Sequence, residues 1–399
     1  MVVGEYEGMA PNAVVEAADA EMAGLVGRIG IALMMAATLA GAGAPDASAE
    51  TRSFVVGWFY PADYYDAATC PDGLNPLPDV FFKRDLALLG VPKARIDDMF
   101  DKDYNIQTFR PMMTDWVKTV ATRGNGRDSV YANPTTIPDR MLKLAEGRFG
   151  YGFNLDGKGA ASPNGFEDPD SHEQGVDNQL FRAIGCIQSY RGGGQRPLTF
   201  EYKWAYARPH MPAWVISITA DDLSRDGPVT VAFDVALDPA DTVDANGDVQ
   251  AGMTYRLGLD PRAHNALTGR MEHGVITTAP ARISLPCDSY MQPSFDFRDA
   301  RLRLTVKPDG RLQGLLGGYQ DWYPVYWSNA KGGYIDERGF GVDAPALYYA
   351  LKKSADADPD PATGQNRAIS AAYMIEAAPA FVTPLPDRTP NPDRTAELR

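Results

Sequence analysis

The sequence predicts a mainly β fold (α+β): an antiparallel β-sandwich or jelly-roll-like core with several short peripheral helices. Three observations carry this reading. Strand-like runs recur at residues 198–204, 213–220, 229–237, 253–259, 275–285, 302–306 and 312–316, with a turn roughly every ten residues, the spacing of an all-β domain. Glycine and proline number 38 and 31, which favours turns and short elements over long helices. Helical periodicity is confined to short stretches such as 179–190 and 343–353.

Taken in order, SFVVGWFY at residues 53–60 reads as a buried strand, and a Pro/Asp-rich loop runs on through Pro78. Mixed helical segments follow at 84–89, 94–100 and 112–120, together a candidate helical subdomain over 80–146. From Gly147 to Asn178 the chain is polar, glycine-rich and studded with carboxylates, a long loop of the kind that is functional or tied down. Asp177 or Asn178 fits a helix N-cap, with Leu180, Phe181, Ile184 and Ile187 on one face of the helix beyond and a glycine run at 192–194 to end it. Lys307-Pro-Asp-Gly310 is a hairpin turn, and a second hairpin brackets Asp241 to Asp248. A capped helix at 343–353 precedes a strand at 369–375, and the Pro/Asp/Arg-rich segment 384–399 is expected to be disordered. One large domain, 50–383, accounts for the rest.

The amino-terminal 49 residues point to export. Arg28 precedes an apolar run over residues 29–40 and small residues ending in Ala47-Ser48-Ala49, the order of a cleavable secretory signal. Glu5, Glu7, Glu16, Asp19 and Glu21 lie upstream, where a signal peptide is basic, so translation is expected to start at Met22. No later stretch approaches the roughly 18 apolar residues of a membrane helix, so a periplasmic or secreted protein without membrane insertion is expected. Removal of residues 1–49 leaves 46 acidic against 37 basic residues, a net charge of −9. With no Lys/Arg cluster, this excludes nucleic acid as a partner. Of the three cysteines, Cys186 reads as a buried thiol on a helix, which leaves Cys70 and Cys287 for a disulfide.

Candidate chemistry is sparse. Asn154, Asp156, Asp168, Asp170 and Asp177 could converge on a calcium ion, which takes six to eight oxygens from carboxylates, amides and carbonyls; the same residues are also ordinary turn formers. Asp241, Asp244, Asn246 and Asp248 form a second oxygen-rich loop in which Asn246-Gly247 is equally a hairpin turn. Tyr319, Trp322, Tyr323, Tyr326 and Trp327 form the densest aromatic stretch, a stacking platform for a saccharide or protein partner if exposed and core if not. Trp58, Phe59, Tyr60, Tyr64 and Tyr65 form a second group. Four histidines and no HExxH or GxSxG motif exclude the familiar zinc hydrolases and α/β-hydrolases. His172, beside Asp170 and Glu173, is the candidate general base.

The segment SPNGFEDPDSHEQGVDNQLFRAIGC, preceded by NLDG, resembles a family of exported, uncharacterised proteobacterial proteins, and GGYQDWYPVYW with DADPDPATGQNRAISAAY resembles their carboxy-terminal end. The resemblance covers about a quarter of the chain and implies export, with no activity to carry over to any residue. The expected function is an exported binding or accessory protein, calcium-stabilised, with an aromatic ligand surface. The alternatives are an extracytoplasmic hydrolase acting on saccharide through a carboxylate pair and an accessory protein of an exported redox system.

Overall fold

The computed structural model describes residues 49–88, 90–100, 129–191, 196–258, 260–287 and 292–383. The signal segment, the helix expected at 112–120, the glycine run at 192–194 and the 384–399 tail lie outside them. Thirteen strands are described: β1 (Glu50–Pro61), β2 (Phe166–Glu167), β3 (Gln174–Val176), β4 (Pro212–Ala220), β5 (Gly227–Pro239), β6 (Met253–Arg256), β7 (His264–Glu272), β8 (Val275–Thr278), β9 (Ala281–Pro286), β10 (Ser294–Val306), β11 (Leu312–Asp321), β12 (Ala357–Pro359) and β13 (Asn366–Thr383).

The fold is mainly β, and in place of the expected sandwich one sheet closes on itself. Eight antiparallel strands run in the order β1-β4-β5-β7-β8-β10-β11-β13, and β13 pairs back onto β1 with Phe54 opposite Pro379 and Phe59 opposite Ile375. Closure removes the two exposed edges that a sandwich of the same strands would have to protect. β6 and β12 add to β13, and β9 to β10.

Alternation along the strands fills the interior. Phe54 and Val56 point inward, and a bulge between Val56 and Trp58 then shifts the phase, so that Phe59 points in and Trp58 lies on the outer wall. The disturbed ladder leaves the Gly57 carbonyl to accept hydrogen bonds from Trp204 Nε1 at 2.7 Å and Arg208 Nη1 at 2.9 Å. Inside, Phe59 stacks on Tyr373 at 4.6 Å and meets Trp214 and Phe295 edge-on at 5.0 and 5.3 Å. The barrel is therefore packed with side chains rather than hollow.

Seven helices are described: α1 (Pro78–Leu88), α2 (Lys93–Met99), α3 (Gln179–Ile184), α4 (Leu198–Ala207), α5 (Trp322–Ser328), α6 (Tyr334–Phe340) and α7 (Ala344–Ser354). Leu180, Ile184, Val325, Tyr326, Leu347 and Leu351 extend the barrel core into the helical cap. Asn178 caps α3 through the Phe181 amide, and Asp343 caps α7 through the Ala346 amide, as the sequence predicts. Segment 198–204 is the opposite case. Its aromatic, β-branched texture reads as a strand, yet it forms α4, because Trp204 and Ala207 pack inward while Tyr202 and Tyr206 share the exposed face four residues apart.

The cysteines pair differently from the expectation: the disulfide joins Cys70 to Cys186, with Cα atoms 5.8 Å apart, and Cys287, just beyond β9, takes no part in it. The reason is a contact remote in sequence. Asn75 runs alongside Ile187, its amide donating to the Cys186 carbonyl at 2.8 Å, and this docking brings the two thiols together beside Phe166, Phe181 and Tyr65.

Candidate functional site

The carboxylate-rich loop folds over the outer wall of β11 and β13, burying Phe153 and Leu155 against Leu315 and Ala372. Gly175, with φ of +76°, passes so close to Gly159 that a Cβ would lie 2.1 Å from its carbonyl oxygen, so the turn demands glycine. Of the predicted calcium ligands, Asp156, Asp168 and Asp177 have carboxylates engaged by the protein itself. Asp177 Oδ2 accepts the Leu155 and Asp156 amides at 2.8 and 3.1 Å. Asp168, fully buried, accepts the Asp170 and Ser171 amides at 3.0 and 2.8 Å and pairs with Arg303 at 3.0 Å. Burial opposes ionisation of Asp168, but the Ser171 amide and Arg303 outweigh it and hold the carboxyl below its usual range. Asp156 pairs with Lys158 at 2.8 Å, and the Asn154 carbonyl accepts Arg301 at 2.7 Å.

Among the described residues, no three His, Cys, Asp or Glu side chains converge on a point that could hold a metal ion. In this conformation backbone amides and Arg303 take lone pairs of Asp168 and Asp177 that an ion would use, and Lys158 takes those of Asp156. Chelator is expected to leave the melting temperature unchanged, whereas Asp168→Ala, which removes the nearer carboxylate partner of Arg303 and orphans two amides, should lower it by several degrees. Calorimetric scans with and without chelator check both.

His172 is exposed, in a left-handed conformation at φ of 60°, with Nδ1 3.1 Å from Glu167. In the second oxygen-rich loop Asp244 accepts the Asn246 and Asp248 amides at 2.8 and 3.1 Å, and Gly247 has φ of +80°, a hairpin turn.

The aromatic run divides. Tyr319 lies near the end of β11, half-buried on the outer wall, and α5 then turns Trp322 and Tyr326 into the core, leaving Tyr323 and Trp327 outside at 45 % and 36 % exposure. Four-residue helical spacing separates the two pairs, so the five residues form no continuous platform.

A larger feature lies on the outer wall, a groove of about 710 Å³ across β1, β11 and β13. The segment from Tyr60 to Tyr65, Tyr151, Arg196, Asp248 and the β10–β11 hairpin wall it. Register places Glu376 opposite both Trp58 and Gln313 on this face. Tyr60 Oη donates to Glu376 Oε1 at 2.6 Å, and Arg196 donates to the same carboxylate at 3.1 and 2.5 Å. Arg196 also lies 4.2 Å over the Trp58 ring, while Trp58 Nε1 donates to Asp248 at 2.5 Å. Burial, with Glu376 beside it, pushes the Tyr60 phenol well above its ordinary range, so it remains a hydrogen-bond donor.

Asp63 is the unusual member of the lining. Its Oδ2 accepts the Tyr65 hydroxyl at 2.7 Å, while Oδ1 is sealed from solvent with no hydrogen-bond partner. Burial pushes its carboxyl up to about 7, against the opposing pull of the Tyr65 hydrogen bond and Arg191. Tyr60 and Tyr65 belong to the second aromatic group noted above. Asp63, Arg196, Asp248 and Glu376, spread over more than 300 positions, carried no joint signal, since only barrel closure brings β13 beside β1. Compared with protein-family models, with curated proteins and with solved structures, the chain matches none.

Proposed function

We propose that this is an exported binding protein whose outer-wall groove holds a polar, hydroxyl-rich ligand of saccharide class. One observation carries the reading: the groove joins tyrosine side chains to a floor of interlocked donors and acceptors, Tyr60, Glu376, Arg196 and Asp248. Sugars are recognised by that combination, ring faces against aromatic groups and hydroxyls against planar polar side chains. The packed interior supports an outer site, because it leaves no chamber inside the barrel for such a ligand. Export is supported by the signal-like segment, by the family resemblance and by the disulfide, which persists in oxidising compartments. Among the described residues no helix is long and apolar enough to cross a membrane.

Titration of the purified protein with neutral, N-acetylated and uronic-acid oligosaccharides, followed by tryptophan fluorescence, tests the reading through Trp58, which is buried beneath the groove residues Arg196 and Asp248. Binding is expected for one class, weakened about tenfold by Tyr151→Ala, the loss of roughly one stacking contact. Absence of binding by every class, or undiminished binding by Tyr151→Ala, would sink it.

A saccharide hydrolase is the second reading, favoured by Asp63, a carboxyl that keeps its proton near neutral pH in the same groove as Glu376. Release of reducing ends from the bound oligosaccharide, abolished by Asp63→Asn, would establish it. Binding without release would leave the protein a binder.

A further inference from the structure

The end of the barrel remote from the helical cap is a mouth set between three turns, at residues 221–226, 273–274 and 307–311. Inward-facing alternation carries Ile218 of β4, Met271 of β7, Ile276 of β8 and Val306 of β10 to this end. Leu223 joins them, and together they line an open cavity of about 360 Å³. Below it Leu267, Leu302 and Leu304 close the barrel, so the cavity is a throat with a floor rather than a channel.

The polar groups stand at the rim. Arg52, in phase with Phe54 and Val56 on β1, is neutralised by Glu50 at 2.8 Å. Lys307, at the start of the β10–β11 turn, is exposed, and its ammonium has no acidic partner among the described residues. An apolar throat with one unpaired cation at its lip is complementary to an apolar chain that ends in an anion. The protein as a whole is acidic, with a net charge of −14, so this cation is set against the general field.

We propose that the barrel mouth binds the alkyl chain of an anionic amphiphile, with its carboxylate or phosphate head at Lys307. The chain displaces water from Ile218, Met271, Ile276 and Val306, and the unbranched Met271 side chain adjusts to its width. The site is separate from the groove, which it meets only at Lys307.

Isothermal titration of the purified protein with octanoate, decanoate and dodecanoate provides the test, with dodecanol as the uncharged probe. Affinity is expected to rise roughly three- to fourfold per methylene until the throat is full, the value of one buried methylene. Lys307→Glu should weaken dodecanoate about tenfold at low salt, with dodecanol unchanged and the difference shrinking at high salt. Ile276→Trp, which fills the throat, should abolish both while leaving oligosaccharide binding in the groove intact. If Ile276→Trp does not fold, chain-length dependence and the exposed Lys307→Glu variant still decide. Affinity independent of chain length, or equal dodecanoate binding by Lys307→Glu, overturns the proposal. Vesicles containing phosphatidylglycerol form a second arm. Their binding with the same Lys307 dependence assigns the amphiphile to a membrane, and dodecanoate binding alone assigns it to a free carboxylate.

Discussion

Lys203→Met is expected to raise the melting temperature by several degrees at pH 6 and to have little effect at pH 10.5. Lys203 lies on α4 at 1 % exposure, between barrel and cap, and pairs with no carboxylate among the described residues. Its Nζ donates to Asn329 Oδ1 at 2.6 Å and lies 3.8 Å from the centre of the Phe340 ring. Burial pushes its pKa down to about 7, against weak support from Asp336. A base whose folded pKa is depressed makes the unfolded chain the better proton acceptor, so stability rises with pH from about 7 toward 10.5. Below the folded value the full cost of charging a buried amine applies, a few kcal/mol and at most about 5.

Methionine has nearly the same length and no charge. Its introduction leaves no orphan at Asn329, whose Oδ1 still accepts the Tyr190 hydroxyl at 2.8 Å. Buried acids shift stability in the opposite direction: Asp63 and Glu337, raised by burial to about 7 and about 8, destabilise the fold as pH rises. The informative quantity is therefore the difference between variant and native protein, followed by thermal unfolding from pH 6 to 10.5. A difference independent of pH would mean that Lys203 titrates normally in the fold.

Loss of the Cys70–Cys186 disulfide carries the second large effect. The bridge spans 116 residues of sequence, and closing a loop of that length removes about 5 kcal/mol of unfolded-state entropy in the chain-entropy account. Cys186 is fully buried, and the bridge anchors the segment before α1 against α3. The Cys70→Ala/Cys186→Ala double variant should therefore unfold at a markedly lower urea concentration than the native protein, with a steeper slope because the unbridged unfolded chain exposes more surface. Reductant should shift the native midpoint in the same direction and leave the double variant where it is. Equal midpoints for native and double variant would show that non-covalent contacts alone hold this corner.

How much of this was legible beforehand depends on whether each feature is local. The cap at Asn178, the cap at Asp343, the turn at residues 307–310 and the strand around residues 53–60 are settled by neighbours within four residues, and the sequence predicts all of them. β7 was missed because HNALTGRME alternates too weakly to read as a strand, and pairing with β5 and β8 supplies what its side chains do not. The α4 segment was misread, and the 319–327 run left open between surface and core, for a related reason, since aromatic residues at mixed spacing satisfy both periods until a neighbouring surface selects one.

By itself, then, the sequence determined the β-rich class, the acidic balance, the signal-like amino terminus and the local caps and turns, all of which depend on composition or on contacts a few residues apart. Tertiary structure alone decided that the strands close into a barrel, that Cys70 meets Cys186 rather than Cys287, and that the loop carboxylates meet amides and arginines. It also decided that Asp63, Arg196 and Glu376 share one groove. Barrel closure, the disulfide, the Asp168–Arg303 pair and the groove each rest on pairing across a hundred residues or more, where the energy comes from burying a common interior and no short stretch of chain records its partner.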